Sequence, residues 1–580
     1  MKRRVWISIG VALAGCGVVF AIGAVEQAMK PEPELPALLP EGALLSIEAR
    51  DFQALLKDWN TSEEKRAWIT SDNHAAFSNS RLFTRLSQAQ DEFSAAAGLT
   101  ADDDLLEKVA GKESCLGLYD IGNLEFVYVT HLDQQEIENT PLWLTRSKFE
   151  QRTEAGNVFY VHKDAQSSRT AAFAARGGWL ILGTREDLVA GVLDRFAGGS
   201  SHSLLNEGWF AEAVKHAPGE RGDLRMVLNL EMIVPSPYFR SYWVQQNITE
   251  MKQYTAAVSD LYRSSESYRE ERVLVRRAGA AAPVQGDVRT LAALAPEDAA
   301  FYAAEASPDP ESLLQTLREN LLEEKPARAA TSYTNAPSAA RAENAGSAAQ
   351  LDVQIDKAPV VVARADAFQP LRALLQAVQP DAALEVYTTR APQEGVYVSL
   401  QTAMAVSALR DWDEDAVRRA LTQTLLPGLT AGNLGVQWEK RSSVISGGDY
   451  SALDGAVPLY AVVRGKQLLL ANDPKLLERL LARSQSGASL GGKDSVTYEA
   501  LFRHKQEQGN FRRLMTQLDL AGHRGEADPQ AETEGGQSLA FFSCNAASFS
   551  RAFSKLASER IEERDRGATV TQTVTYQWSR

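Results

Sequence analysis

The chain of 580 residues has only three cysteines, Cys16, Cys115 and Cys544, and none stands in C-x-x-C spacing. That excludes a cysteine-ligated zinc site of the usual spacing and a thioredoxin-type redox motif. Histidine is also scarce, at seven. No H-E-x-x-H pair occurs, so the arrangement in which two histidines on one helix face hold zinc is absent. No Walker loop and no G-x-G-x-x-G after a strand are present, which removes the phosphate cradles a sequence can reveal. The one G-x-S-x-G string, Gly487–Gly491, follows a helical pattern instead of a strand and reads as a loop, not a nucleophile elbow. A basic excess is missing as well: 61 Lys and Arg against 75 Asp and Glu leave a net charge of −14. Phosphate backbones are gripped by clustered cations, so no nucleic acid is expected as partner. Hydrophobic residues at 44% and charged residues at 23% are those of a globular protein, too long for a single core.

Only one long apolar run exists. Lys2, Arg3 and Arg4 precede Val5–Val25, which carries no charge, and Glu26 closes it. About 20 apolar residues at 1.5 Å rise each cover the ~30 Å hydrocarbon core. The three cations mark the cytoplasmic end, so the expectation is a single-pass inner-membrane protein with the body periplasmic or extracellular. Leu13-Ala14-Gly15-Cys16 also has the form of a lipobox, which makes Cys16 a candidate lipidation site. The apolar residues that continue after Cys16 fit a full span better, and cleavage of the segment is the third reading. Pro31, Pro33, Pro36 and Pro40 form a stiff spacer over 31–40. In an oxidising compartment Cys115 and Cys544 are able to pair, although they do not correspond in the repeat described next.

The chain contains one stretch twice. RGGWLILGTREDLVAGVLDRF at Arg176 returns as RGKQLLLANDPKLLERLLARS at Arg464, 288 positions later and without a gap. In that register Leu182 lies over Leu470, Leu188 over Leu476, His216 over His504 and Arg225 over Arg513. Repeats of this kind are the first feature to establish, because they fix the architecture. Each copy opens on a short strand and a helix: LLSIEA before Asp51, and AAFYAAEA before Pro310. CLGLYD and LEFVYVTHL are matched by ALEVYTTR and GVYVSLQT, with Val127-Tyr128-Val129 set against Val396-Tyr397-Val398. NVFYVHKD, RTAAFAARG and WLILGT are matched by VISGGDY, LYAVVRG and QLLLAND, which end at Thr184 or Asn472–Asp473 as caps for the following helix. The expected fold is α+β: a signal anchor over 1–30, then two related domains over 36–278 and 288–580 joined by a linker over 279–287. Each is an antiparallel sheet with helices mainly on one face, and the second holds an Ala- and Ser-rich mobile insert near 323–350.

Because they share a register position, His216 and His504 form the candidate polar site, one per copy. The competing reading is a histidine near a helix C-terminus, where a cation suits the helix dipole. The aromatic run from Ser236 to Tyr268, with Tyr238, Phe239, Tyr242, Trp243, Tyr254 and Tyr262, reads as a long helix with an aromatic face. Asp102-Asp103-Asp104 and Asp411–Asp415 lack the glycine and full ligand pattern of a calcium loop and read as helix N-terminal acidity. No catalytic, cofactor-binding or metal-ligating set emerges.

The L-x-P-E-x-A opening, the VYVTHL-type strands and GGWLILGTREDLVAGVLDRF resemble a group of bacterial, membrane-anchored extracytoplasmic proteins with duplicated domains of unassigned function. The resemblance spans most of residues 36–500 and carries no catalytic residues over. The expected function is a non-catalytic envelope scaffold or interaction protein with an envelope protein as partner. The alternative is an extracytoplasmic enzyme or small-ligand binder with a site between the two copies.

Overall fold

The computed structural model describes residues 34–70, 74, 77–199, 202–238, 251–279, 283–322, 367–390, 399–429, 437–443, 448–453, 458–485, 495–504 and 556–578. Val5–Val25, Cys16, the 323–350 insert, Gly487–Gly491 and Cys544 lie outside them. Among the described residues no helix is long and apolar enough to cross a membrane. The chain divides into two compact units, one of residues up to 53 with 89–211, the other of 54–88 with 212–580. Both are mixed α and β and are dominated by antiparallel sheet.

In the first unit the strands are β1 (Leu45–Ala49), β2 (Ser114–Asp120), β3 (Glu125–His131), β4 (Glu150–Glu154), β5 (Asn157–Lys163), β6 (Thr170–Arg176) and β7 (Trp179–Gly183). They pair in the order β1-β2-β3-β7-β6-β5-β4, every pair antiparallel. The β6–β7 turn needs left-handed backbone at Gly177 and Gly178, with φ of +54° and +83°, which glycine adopts without a Cβ penalty. One face of this sheet buries Phe173, Leu180 and Leu182 against Phe93, Ala96 and the helix α1 (Asp103–Val109). Asp102 caps α1 by accepting from the Leu105 N–H at 3.0 Å, so that acidic triplet serves a helix start. The helix α2 (Glu186–Phe196) packs along β6 and β7 and buries Leu188, Val189, Val192 and Leu193.

The second unit begins its strands with β8 (Leu224–Asn229), β9 (Tyr254–Arg263), β10 (Ser267–Arg276) and β11 (Phe301–Ala306). β12 (Pro380–Arg390), β13 (Ser399–Ala408), β14 (Glu439–Ser442), β15 (Asp449–Leu453), β16 (Leu459–Arg464) and β17 (Gln467–Ala471) follow. β18 (Tyr498–Phe502), β19 (Leu556–Asp565) and β20 (Thr569–Trp578) complete the set. Their order is β8-β9-β10-β20-β19-β18-β11-β12-β13-β17-β16-β15-β14, again antiparallel throughout. One core holds Tyr302, Ala304, Val462 and Leu469 beneath Leu291 of the short helix Arg289–Ala292 and Leu476, Leu477, Leu480 and Leu481 of α5 (Pro474–Gln485). The opposite face packs Met404, Val406, Leu468 and Leu470 under Leu313 and Leu317, Leu371 and Leu375 of α3 (Gln369–Val378), and Val417 and Leu421 of α4 (Glu414–Leu429).

Three sequence expectations change. Helices cover both faces of these sheets instead of mainly one, because the inner strands are apolar at consecutive positions: all five residues of β7 are buried. The aromatic run is not one long helix, since Tyr254 and Tyr262 sit on β9; residues 239–250 lie outside the described residues. Thr184 does not cap α2. Its Oγ1 accepts from the Phe126 N–H at 2.9 Å and its own N–H donates to the Phe126 carbonyl at 3.0 Å, sealing the end of the β3–β7 pair. Asn472 makes the same two bonds to Thr402, at 2.8 and 3.0 Å, and Asp473 next to it accepts from Leu476 N–H at 2.9 Å as the cap of α5. Thr184→Val keeps the shape and removes the acceptor. It is expected to cost about 1–2 kcal/mol and to strip hydrogen-exchange protection from the Phe126 amide; unchanged protection there would refute the assignment.

Candidate functional site

His216 follows the helix Gly208–Lys215, as the helix-end reading requires. Its Nε2 lies 2.9 Å from Glu212 Oε1, and Lys215 reaches the same carboxylate at 3.3 Å. Hydrogen bonds from His216 and then Lys215 hold the Glu212 carboxyl below its usual range. Glu212 is exposed and His216 half-buried, so this is a surface pair worth little in stability.

His504 has different surroundings. It follows β18, and its Nε2 stands 3.6 Å from Glu559 Oε2, beyond hydrogen-bond reach. Its ring meets Phe502 edge-on at 4.2 Å. Residues paired in register share a face of a sheet, and Tyr576, Glu559, Phe502, Phe301 and Tyr387 form one such row across five strands. On the same face Tyr498 is pushed up to about 12 by burial and then by the carboxylates of Glu385, Glu305, Glu563 and Glu559. Burial, followed by Glu559 and Glu270, raises Tyr576 to about 12. These phenols are neutral hydrogen-bonding groups at physiological pH. The two histidines therefore occupy different places: His216 precedes β8, the partner of β9, whereas His504 follows β18, the partner of β19. Arg513, set over Arg225 in sequence, lies outside the described residues.

Across the opposite face of β18, β19 and β20, and on through β10, β9 and β8, runs a charged row: Arg225, Asp260, Glu271, Thr573, Glu562 and Glu499, each in register with the next. Its carboxylates are matched locally. Arg225 holds Asp260 at 2.8 Å, Arg269 holds Glu271 at 2.9 Å, and Arg560 bridges Glu562 at 3.0 Å and Glu499 at 3.1 Å. Tyr302 donates to Glu499 at 2.7 Å. Each carboxylate of the row thus has a guanidinium partner from its own or a neighbouring strand, and the row is a ladder of ion pairs across the sheet. Sequence spacing did not reveal it, because the partners come from strands far apart in the chain.

In the first unit, β4 and α2 border an open groove of about 740 Å³, lined by Gln151, Arg152, Thr153, Glu154, Phe159, Glu186, Asp187 and Ala190. Arg152 spans it, 3.0 Å from Glu150 and 3.1 Å from Glu186. β4 is exposed from Glu150 to Thr153, and among the described residues it pairs with β5 alone. Among the described residues no three of His, Cys, Asp and Glu are placed to hold a metal ion.

No protein-family model matches the chain, and no curated protein matches it. Solved structures of a protein named TP0453 are similar over part of it. Crystal form I has 8% identity and a TM-score of 0.23, covering 43% of this chain and 82% of that one. Crystal form III has 9% identity and a TM-score of 0.22 over the same shares. At those scores the likeness carries no argument.

Proposed function

We propose that this chain is a non-catalytic interaction protein, a scaffold anchored in an inner membrane by Val5–Val25 with its body on the extracytoplasmic side. The observation that carries the reading is β4, a strand whose second edge no other strand pairs with among the described residues, beside a wide groove. An open strand edge presents unpaired backbone donors and acceptors to any extended segment that can align with it, and folded proteins ordinarily cover or blunt such an edge.

The body, in this reading, is two related domains of the duplicated family that the sequence resembles, over 36–278 and 288–580. Several correspondences support it. β1-β2-β3-β7-β6-β5-β4 and β11-β12-β13-β17-β16-β15-β14 have the same pairing order. β7 and β17 start at 179 and 467, the 288-position offset of the sequence repeat. Gly465 turns β16 into β17 at φ +56°, as Gly177 does at +54° between β6 and β7. The hairpins β9–β10 and β19–β20 are 302 positions apart (556 against 254) at every strand boundary. In the β10–β20 ladder Glu271 faces Thr573, the residue at that same offset, so the pairing has a local two-fold centre. A glutamate opposite its own copy would repel; threonine at 573 removes that conflict.

The test is crosslinking in cells, recovery of the anchored protein from membranes and mass spectrometry of what comes with it. A reproducible extracytoplasmic partner is expected. Recovery of the protein alone, or with cytosolic partners only, would sink the reading.

A second reading, a small-ligand binder, has one observation in its favour: the buried Nε2 of the partly buried His504 stands beside Glu559 without a hydrogen bond between them. A ligand that raises the melting temperature of the wild type but not of Glu559→Gln would establish it; equal shifts in both would dismiss it.

A further inference from the structure

We propose that the groove between β4 and α2 binds an extended cationic peptide segment of a partner protein, added as a strand to β4. This rests on the interaction reading above and names the partner's chemistry. The backbone part of the argument is the edge of β4 that no strand pairs with among the described residues. A segment aligned with Glu150–Glu154 completes the ladder that β4 shares with β5 on its other side. Its side chains then alternate between the two sheet faces, and every second one enters the groove.

The charge part comes from what lines that groove. Glu150, Arg152 and Glu154 alternate toward the α2 side, Arg152 lying opposite the buried Phe159 in register. Glu186 and Asp187 form the first turn of α2. Three carboxylates, Glu154, Glu186 and Asp187, thus line the groove with Arg152, which is shared between Glu186 and Glu150, and Arg185 is itself shared between Asp187 and Glu125. A lysine or arginine entering between Glu154 and Glu186 meets a local excess of carboxylates over guanidiniums, whereas an acidic or carboxylate-terminated segment is repelled. Phe159 provides an apolar floor for the aliphatic stem of such a side chain.

The strand that ends the second unit's order, β14, supplies an internal comparison. β14 repeats the edge ion pair, Arg441 to Glu439 at 2.9 Å. The helix that follows β17 as α2 follows β7, α5, begins with Pro474 and an exposed Lys475 in place of the two acids. A cationic segment is therefore favoured at β4 and not at β14.

The test uses the full-length chain in detergent and a fluorescein-labelled peptide, Lys-Val-Lys-Val-Lys-Val-Lys, followed by anisotropy. Three comparisons accompany it: the Glu-Val counterpart, the Lys-Val peptide N-methylated at alternate residues, and a doubly substituted protein, Glu186→Lys with Asp187→Lys. Each is expected to bind at least about tenfold more weakly. Glu136→Lys with Glu138→Lys, the same change of charge on an exposed helix elsewhere, is expected to leave binding unchanged. Equal weakening by both double substitutions would mean bulk acidity and overturn the site. Full binding by the N-methylated peptide would overturn strand addition, independently of any effect of the substitutions on folding. If crosslinking recovers a partner that Glu186→Lys with Asp187→Lys still retains, the groove fails while the interaction reading stands. If the peptide binds at the groove but cells yield no extracytoplasmic partner, the interaction reading is the one that fails.

Discussion

Asp565→Ala is expected to lower the stability of the second unit by about 3–5 kcal/mol. Asp565 and Arg276 meet in a two-pronged pair, Nη1 to Oδ1 at 2.9 Å and Nη2 to Oδ2 at 2.7 Å, with side chains 2% and 10% exposed. The carboxylate also accepts from the N–H groups of Gly567 and Val284, both at 2.9 Å. Alanine leaves a guanidinium inside without its counter-charge and two backbone donors without an acceptor. The pair joins the end of β10 to the end of β19, so its loss frees the middle of the long sheet. Arg276→Met with Asp565→Leu is the informative control. It removes both charges together, and such exchanges are often neutral or better, so the double variant should be markedly more stable than Asp565→Ala. Hydrogen exchange of β10 and β19 reads the effect locally, which matters in a chain of two units where one global transition is not assured. A double variant as unstable as the single one would overturn the argument.

The same pair sets a pH dependence. Burial alone would raise the Asp565 carboxyl, but the bonds from Arg276, Gly567 and Val284 outweigh it and hold the group below the usual carboxylate range. A depressed folded-state pKa contributes stability that is complete above the unfolded value, near 3.8. That contribution fades as pH falls below it. Acid should therefore release protection in β10 and β19 below about pH 4 in the wild type, with a shallower slope in the Arg276→Met, Asp565→Leu variant.

How much of this was readable beforehand follows from where the repeat keeps its spacing. Between Arg176 and Arg195 no insertion separates the copies, so β7 with α2 and β17 with α5 stand at the offset the sequence shows. Beyond that stretch coincidences took over. Val127-Tyr128-Val129 was matched with Val396-Tyr397-Val398, yet the pairing with β7 and β17 sets Val127 at the place of Ala403. Valine–tyrosine alternation fits any half-buried strand and fixes no register. The matching of His216 with His504 has the same origin. Tyr254 and Tyr262 are eight apart, a spacing that fits the strand period and still falls within a broad helical face, so their face alone could not decide the element. The β4 groove was invisible for another reason: an edge exists only through pairings that are absent, and no local pattern records that.

Phe173→Ala should cost the first unit about 3–5 kcal/mol, although the structurally matching position of the other unit is already alanine. Phe173 is fully buried on β6, stacked on Tyr160 at 5.1 Å and edge-on to Phe149 at 5.1 Å. It pairs with Leu182 and Tyr160; Ala461 on β16 pairs with Leu470 and Ser451. The core that holds Ala461 is packed by a different ring, Trp438, which stands just before β14 as Phe149 stands just before β4 and donates Nε1–H to Thr422 at 2.8 Å. Each core is thus filled by its own combination, and the position alone does not make alanine tolerable. The reciprocal change, Ala461→Phe, should overpack by about 1–3 kcal/mol or more. Unit-specific hydrogen exchange separates the two effects: Phe173→Ala should loosen β5 to β7 and leave β15 to β17 protected, and Ala461→Phe should do the reverse. If Phe173→Ala were nearly neutral, the first core would have to collapse around the missing ring, and the claim that the two cores are packed independently would fail.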